Sequence, residues 1–132
     1  MAEPNKERIK LWTEALRSNK YKQKRNVLGL DKPDGNYPAG NCCLGVACEV
    51  AIKNGLNIER YVNEANYISY DGEYEVLPQS VADWYGLKTT SPEFVVEGGQ
   101  LIREAVELND SGNYTFADIA GIIEEEFGLI PF

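Results

Sequence analysis

The stretch from Asn41 to Gly55 constrains this chain more than any other. It reads Asn-Cys-Cys-Leu-Gly-Val-Ala-Cys-Glu-Val-Ala-Ile-Lys-Asn-Gly. Asn41 suits an N-cap, because its side-chain oxygen can accept a bond from a free backbone N–H one turn later. Gly55 suits the position after the C-cap, where a left-handed residue is needed. Between them Cys42, Cys43, Leu44, Gly45, Val46, Ala47, Cys48, Val50, Ala51 and Ile52 are all apolar or small, and only Glu49 and Lys53 are charged. A helix apolar on almost every side belongs inside a domain. It is shorter than the roughly 20 residues needed to cross a membrane. The sequence therefore predicts a helix over 42–52 with Leu44, Ala47, Cys48 and Ala51 on its most enclosed face. Gly45 within that helix costs about 1 kcal/mol relative to alanine, which implies a close approach by another backbone or a ring. Trp12 and Phe116 are the expected neighbours.

The other elements are expected to pack around this helix. Residues 4–18 carry Ile9, Trp12 and Leu16 at helical spacing, with Pro4 suited to the first turn. Lys20 to Arg25 alternates in an extended, strand-like way. Residues 31–40 are dense in Pro, Gly, Asn and Asp and read as a loop. Residues 57–66 are ambiguous, with Ile58, Tyr61 and Val62 able to form a helical turn. Asp71-Gly72 between two alternating runs predicts a hairpin over 67–77 with Tyr70 opposite Glu73. Ser80 and Asp83 suggest a capping box opening a short helix that Gly86 closes. Glu93 to Val96 is β-prone, Gly98-Gly99 is a break, and 101–108 is read as helical. Asn109 to Gly112 then form a turn. Thr115 and Asp118 cap a last helix whose stripe is Phe116, Ile119, Ala120, Ile123 and Phe127. Gly128 ends it, and the apolar tail 129–132 is expected to pack back.

Length and composition bound the chemistry. A chain of 132 residues, 43% hydrophobic and 26% charged, is expected to form one domain over 1–132 with an ordinary core. No long apolar run or basic-then-apolar leader is present, so a soluble cytoplasmic protein is expected. Three cysteines within seven positions make a poor disulfide pattern and suit a reducing compartment. Histidine is absent, which removes Cys–His and Ser–His nucleophile pairs and His-ligated zinc. No phosphate-binding glycine loop of known spacing is present. No metal or cofactor is expected, and an enzyme is not expected. Charge is divided unevenly: residues 1–60 hold eleven Lys/Arg against seven Asp/Glu (+4), and 61–132 hold two against fourteen (−12).

One basic run stands out in this acidic chain. Lys20, Tyr21, Lys22, Gln23, Lys24 and Arg25 form the candidate ligand-binding segment, able to grip a phosphorylated, nucleotide-like ligand together with the 31–40 loop. The same run fits a solvated edge on which lysines block aggregation. An acidic DNA mimic built on the −12 half is a further alternative, as is a small cysteine- or carboxylate-based enzyme.

Several pieces of the chain resemble a single family. They are Trp12, Ala15-Leu16, Tyr21 and Gln23; Cys42-Cys43-Leu44-Gly45-Val46 and Cys48; Leu77-Pro78, Val81, Trp84 and Gly86-Leu87; and Leu108-Asn109-Asp110, Gly112, Phe116, Ile119-Ala120 and Ile123-Glu124. The pattern resembles small proteins of bacteriophages, especially those of actinobacteria, and of related prophage regions. That family carries no assigned activity and so lends no catalytic residues. The resemblance implies a phage accessory protein in the bacterial host cytoplasm that binds a host protein or a defence component. Direct nucleic-acid binding is not expected. The fold expected is α+β: a buried central helix, flanking helices, and a small antiparallel sheet that includes the 67–77 hairpin.

Overall fold

The computed structural model describes residues 3–31, 40–96 and 101–129. The fold is α+β. In chain order it comprises α1 (Lys6–Arg17), β1 (Gly29–Leu30), β2 (Gly40–Asn41), α2 (Cys43–Lys53), β3 (Arg60–Val62), β4 (Ile68–Tyr70), α3 (Gln79–Tyr85), β5 (Glu93–Val96), β6 (Leu101–Glu104), α4 (Ala105–Asp110) and α5 (Phe116–Glu126). The strands form three antiparallel pairs: β1–β2, β3–β4 and β5–β6. Most of the expected 31–40 loop, the Gly98-Gly99 break and the tail beyond Leu129 lie outside the described residues.

Helix α2 sits in the middle, touched by α1, α3 and α4. From Cys43 to Ala51 every residue except Glu49 is buried. Its C-terminus ends as the sequence predicts. Gly55 has φ +102, and the N–H groups of Gly55 and Leu56 bond to the carbonyls of Ile52 and Ala51. This pattern satisfies the last turn. The N-terminus differs from expectation. Cys42, not Asn41, is the N-cap, its Sγ accepting from the Gly45 N–H at 3.4 Å. Asn41 instead lies in β2, where its amide donates to the Leu28 carbonyl at 3.0 Å and to the Tyr70 hydroxyl at 3.2 Å. Both acceptors are inside the protein, where an unpaired oxygen would be costly, so they claim the amide first.

Gly45 does face a close backbone, but neither Trp12 nor Phe116 supplies it. A Cβ there would overlap the Leu28 carbonyl oxygen and lie 2.8 Å from its carbon. Trp12 has a different role, donating its indole N–H to the Cys43 carbonyl at 2.9 Å.

The flanking helices follow their caps. Asn5 caps α1 by accepting from the Arg8 N–H at 3.1 Å, so Pro4 stands before the helix rather than in its first turn. Ile9, Trp12, Thr13 and Leu16 are buried, and α1 packs mainly along α5. Thr115 and Asp118 cap α5 reciprocally, and Phe116, Ile119, Ala120 and Ile123 enter the core as predicted. Leu129 packs against that core. In α3 the expected capping box is missing. The N-cap is Pro78, and the Ser80 hydroxyl donates to Asp71 instead. Gly86, with φ +76, closes that helix.

Two strand assignments are corrected. The Asp71-Gly72 turn forms with both residues left-handed, and Tyr70 and Glu73 exchange both backbone bonds. Beyond Glu73 the second arm leaves β4, with the Tyr74 carbonyl accepting from Leu28 and the Leu77 N–H donating to Thr90. The partner of β4 is β3, in the register Arg60↔Tyr70, Tyr61↔Ser69 and Val62↔Ile68. Asn63 makes this hairpin possible, because its side-chain oxygen accepts from the N–H groups of Ala65 and Tyr67. Residues 101–104, read as helical, form β6, and Asn109-Asp110 end α4 rather than starting a turn. Pairing with β5 decides the conformation there, and helix propensity is weaker than such pairing.

Candidate binding surface

The segment 20–25 is tied down by its backbone. Its alternation predicts a strand, but among the described residues its ladder contact is a single parallel bridge from Gln23 to Asn41. Asn41 donates its N–H to the Lys22 carbonyl at 2.8 Å and accepts from the Lys24 N–H at 2.7 Å. Asn26, with φ +71, then turns the chain away.

Asn109, from the far end of the sequence, completes this anchor. It is 1% exposed. Its oxygen accepts from the Cys43 N–H at 3.0 Å and from the Gln23 amide at 3.2 Å, and its nitrogen donates to the Lys24 carbonyl at 2.7 Å. One side chain thus satisfies the first turn of α2 and holds the basic segment. Tyr21 is half-buried against the core under Lys53, whose nitrogen lies 5.6 Å from the ring centre. Lys20, Lys22, Gln23 and Arg25 are exposed and Lys24 is half-buried. Gln23 and Arg25 line a recess of about 210 Å³ with Asn109 and the 112–115 turn.

The three thiols are free and buried. Burial pushes Cys42 up to about 11, more than the Gly45 hydrogen bond pulls it down. Burial likewise pushes Cys43 and Cys48 well up. A reactive cysteine needs an accessible thiolate, and these are neutral in the folded protein at ordinary pH. Among the described residues, no three of His, Cys, Asp and Glu are grouped to hold a metal ion. Among the same residues, no helix is long and apolar enough to cross a membrane.

Glu49, the one charged residue within the enclosed part of α2, is spoken for. Its Oε2 accepts from the Tyr70 hydroxyl and from Arg60 Nε, the latter at 2.7 Å. Burial, with the Glu49 carboxylate beside it, pushes the Tyr70 phenol far up, so it stays a donor. Arg60 also lies 3.8 Å from Asp31. This network ties α2 to β3 and β4.

The β5–β6 ribbon is different, because its outer face has little over it. The inner face is ordinary core. Phe94 and Val96 are buried, and Phe94 meets Phe127 edge-on at 6.2 Å. The register is Glu93↔Glu104, Phe94↔Arg103, Val95↔Ile102 and Val96↔Leu101. Residues two apart share a face, so the outer face presents two cross-strand pairs. Val95 and Ile102 make an aliphatic pair, 46% and 60% exposed. Glu93 and Glu104 make a like-charge pair beside it, and like charges directly opposite are unfavourable. Glu104 is half-buried, accepts from the Ser91 hydroxyl at 2.9 Å, and caps α4 in a reciprocal pair with Glu107, its carboxylate accepting from the Glu107 N–H and its own N–H donating to the Glu107 carboxylate at 3.0 Å.

A cleft of about 400 Å³ opens beside β5, lined by Pro4, Lys88, Glu93, Phe94, Glu126 and Phe127 among others. Glu126 reaches the strand edge, accepting from the Val95 N–H at 3.4 Å. Sequence reasoning found β5 through its β-prone run but missed the surface, because the identity of its partner strand creates both pairs.

The fold and this surface define a small α+β domain built on one enclosed helix, with a two-stranded ribbon left open on its outer side. The chain belongs to the family described as a domain of unknown function (DUF8296), which matches residues 5–127. No curated protein and no solved structure matches it.

Proposed function

We propose that the protein works by binding another macromolecule, a host protein or a defence component, as a phage accessory protein in the bacterial cytoplasm. The supporting observation is the outer face of the ribbon. Single exposed apolar residues are ordinary on protein surfaces. Val95 and Ile102 instead sit directly opposite one another and next to a cleft. Each is already about half covered, so burying the rest contributes about 1 kcal/mol per side chain. The phage setting rests on the resemblance described above.

The test is capture from a lysate of an actinobacterial host, comparing the natural chain with a Val95→Ser/Ile102→Ser variant of unchanged fold. Recovery of the same partner by the natural chain in repeated experiments, and its loss with the variant, supports the reading. Repeated recovery of no specific partner overturns it.

A second reading has one observation in its favour: Gln23 and Arg25 of the basic segment border a recess together with the 112–115 turn. Under that reading the protein holds a phosphorylated small molecule. A thermal-shift series with nucleotides and cyclic dinucleotides tests it. Ligand at a hundredfold excess over its dissociation constant contributes about 2.7 kcal/mol. The reading fails where no anion raises the melting temperature, or where the shift survives Lys22→Ala with Arg25→Ala.

A further inference from the structure

We propose that the ribbon's occupant is a cationic, extended segment of a partner protein, with a lysine or arginine two residues from an aliphatic side chain. This deepens the binding reading above and rests on it.

The outer face has a definite order. The Glu93–Glu104 pair comes first, and the Val95–Ile102 pair lies two residues further along both strands. Two residues of strand span about 6.6 Å. A segment lying along this face therefore meets two carboxylates at one point and two aliphatic side chains about 6.6 Å away. A basic residue at i and an aliphatic one at i+2 match both.

The acid pair also favours a cation for its own sake. The two carboxylates stand opposite each other, Glu104 held in the α4 capping box and Glu93 exposed, and an ammonium or guanidinium beside Glu93 offsets the repulsion between them. Glu104 has the Ser91 hydroxyl and the Glu107 N–H as partners, and Glu93, exposed at the mouth of the cleft, is the carboxylate open to a cation.

The surroundings keep the same sign. Glu125 and Glu126 are exposed at the C-terminal end of α5, where the helix dipole adds negative character. Positive groups nearby are Arg103 on β6, Lys88 on the cleft wall and Lys6, whose nitrogen lies near Gly128. Arg103 pairs with Phe94 in the register, so it belongs to the other set of positions, and its guanidinium donates to the Ile102 carbonyl. Arg103 thus lies off the face that carries the acid pair, whereas Lys88 lines the same cleft as Glu93. Complementary charge steers encounter and fixes register, and the aliphatic pair supplies the contact that excludes water.

The test uses three synthetic six-residue peptides: alternating Lys–Val, alternating Lys–Ser and alternating Glu–Val. Each is titrated into the isotope-labelled full chain while amide resonances are followed. The expected result is at least tenfold tighter binding of the Lys–Val peptide than of either control. Its shifts should centre on residues 93–95 and 102–104. Glu93→Gln should weaken it at least fivefold and leave the melting temperature of the free chain the same or higher; Glu104, which caps α4, is left unchanged. Equal binding of the Lys–Val and Lys–Ser peptides, shifts spread over the acidic half, or no binding would each overturn the proposal.

The lysate experiment separates this from the broader reading. A partner lost with Val95→Ser/Ile102→Ser but kept with Glu93→Gln leaves the binding reading standing and removes the cationic segment. A partner kept by both variants removes the ribbon itself.

Discussion

Gly45 is where a single missing methyl decides how the core closes. Alanine is the better helix former by about 1 kcal/mol, so propensity alone favours Gly45→Ala. The Leu28 carbonyl already occupies the space a Cβ would need. Overpacking a filled site typically costs about 1–3 kcal/mol, and backbone cannot swing aside as a side chain can. Gly45→Ala is therefore expected to lower the urea midpoint, and Gly45→Leu to lower it further. A midpoint at or above that of the natural chain would show that the segment before β1 does not cross α2 there. Asn109 is the second such position. Asn109→Ala strips a partner from both the Cys43 N–H and the Lys24 carbonyl. Leaving the buried Cys43 N–H without its acceptor costs about 1–3 kcal/mol, so a loss of that order is expected in the same urea experiment. A change below about 0.5 kcal/mol, the scatter of neutral surface substitutions, would contradict this.

Helix α2 gives the protein an alkaline limit. Its three thiols keep their protons in the fold because burial raises them, Cys42 to about 11 from an ordinary 9.0. Above pH 9 the unfolded chain releases these protons while the folded chain holds them. The unfolded state then binds fewer protons, so stability falls as pH rises, by up to about 1.4 kcal/mol per unit for each group. Below pH 9 the contribution is complete. Melting temperature is expected to be flat in this respect through neutrality and to decline from pH 9 to 11. The decline should be shallower in Cys42→Ala, and no slope over that range would contradict burial of the thiols. The elements themselves were unequally readable. Helices α1, α2 and α5 show in the sequence because an apolar stripe and a polar cap make the same statement twice. Strand β3 does not, because Arg60-Tyr61-Val62 is too short to alternate and its turn is built by the Asn63 side chain. Strand β6 was hidden because Leu101, Ala105 and Leu108 fall by coincidence at helical spacing. The candidate surface was hidden for the same reason: Val95 and Ile102 are neighbours only once β6 is known. The basic run, by contrast, is legible as charge, but nothing local says that Asn41 and Asn109 hold its backbone.

At the scale of the whole molecule, the uneven charge of the sequence is only partly met inside the fold. Arg17 of the first half pairs with Glu124 of the second, whereas the ion pairs of Arg60 with Glu49 and Asp31 stay within the first half. Exposed carboxylates along β5 and α5 therefore keep the second half acidic toward solvent. The long reach of Asn109 acts at this scale too, and it bears on how the chain is born. A ribosome delivers the N-terminus first, and domains commonly fold as units while synthesis proceeds. Here the central helix leaves the ribosome early, yet the amide that completes its first turn is 66 residues downstream of Cys43, and 86 downstream of Gln23. Until α4 has emerged, the Cys43 N–H lacks its acceptor and the side of α2 that packs on α4 stays uncovered. A chain ending at residue 104 is accordingly expected to show no cooperative melting by circular dichroism, and a sharp transition in that fragment would contradict this. Vectorial synthesis therefore gives the central helix no head start, because the side chain that completes it is made 66 residues after Cys43.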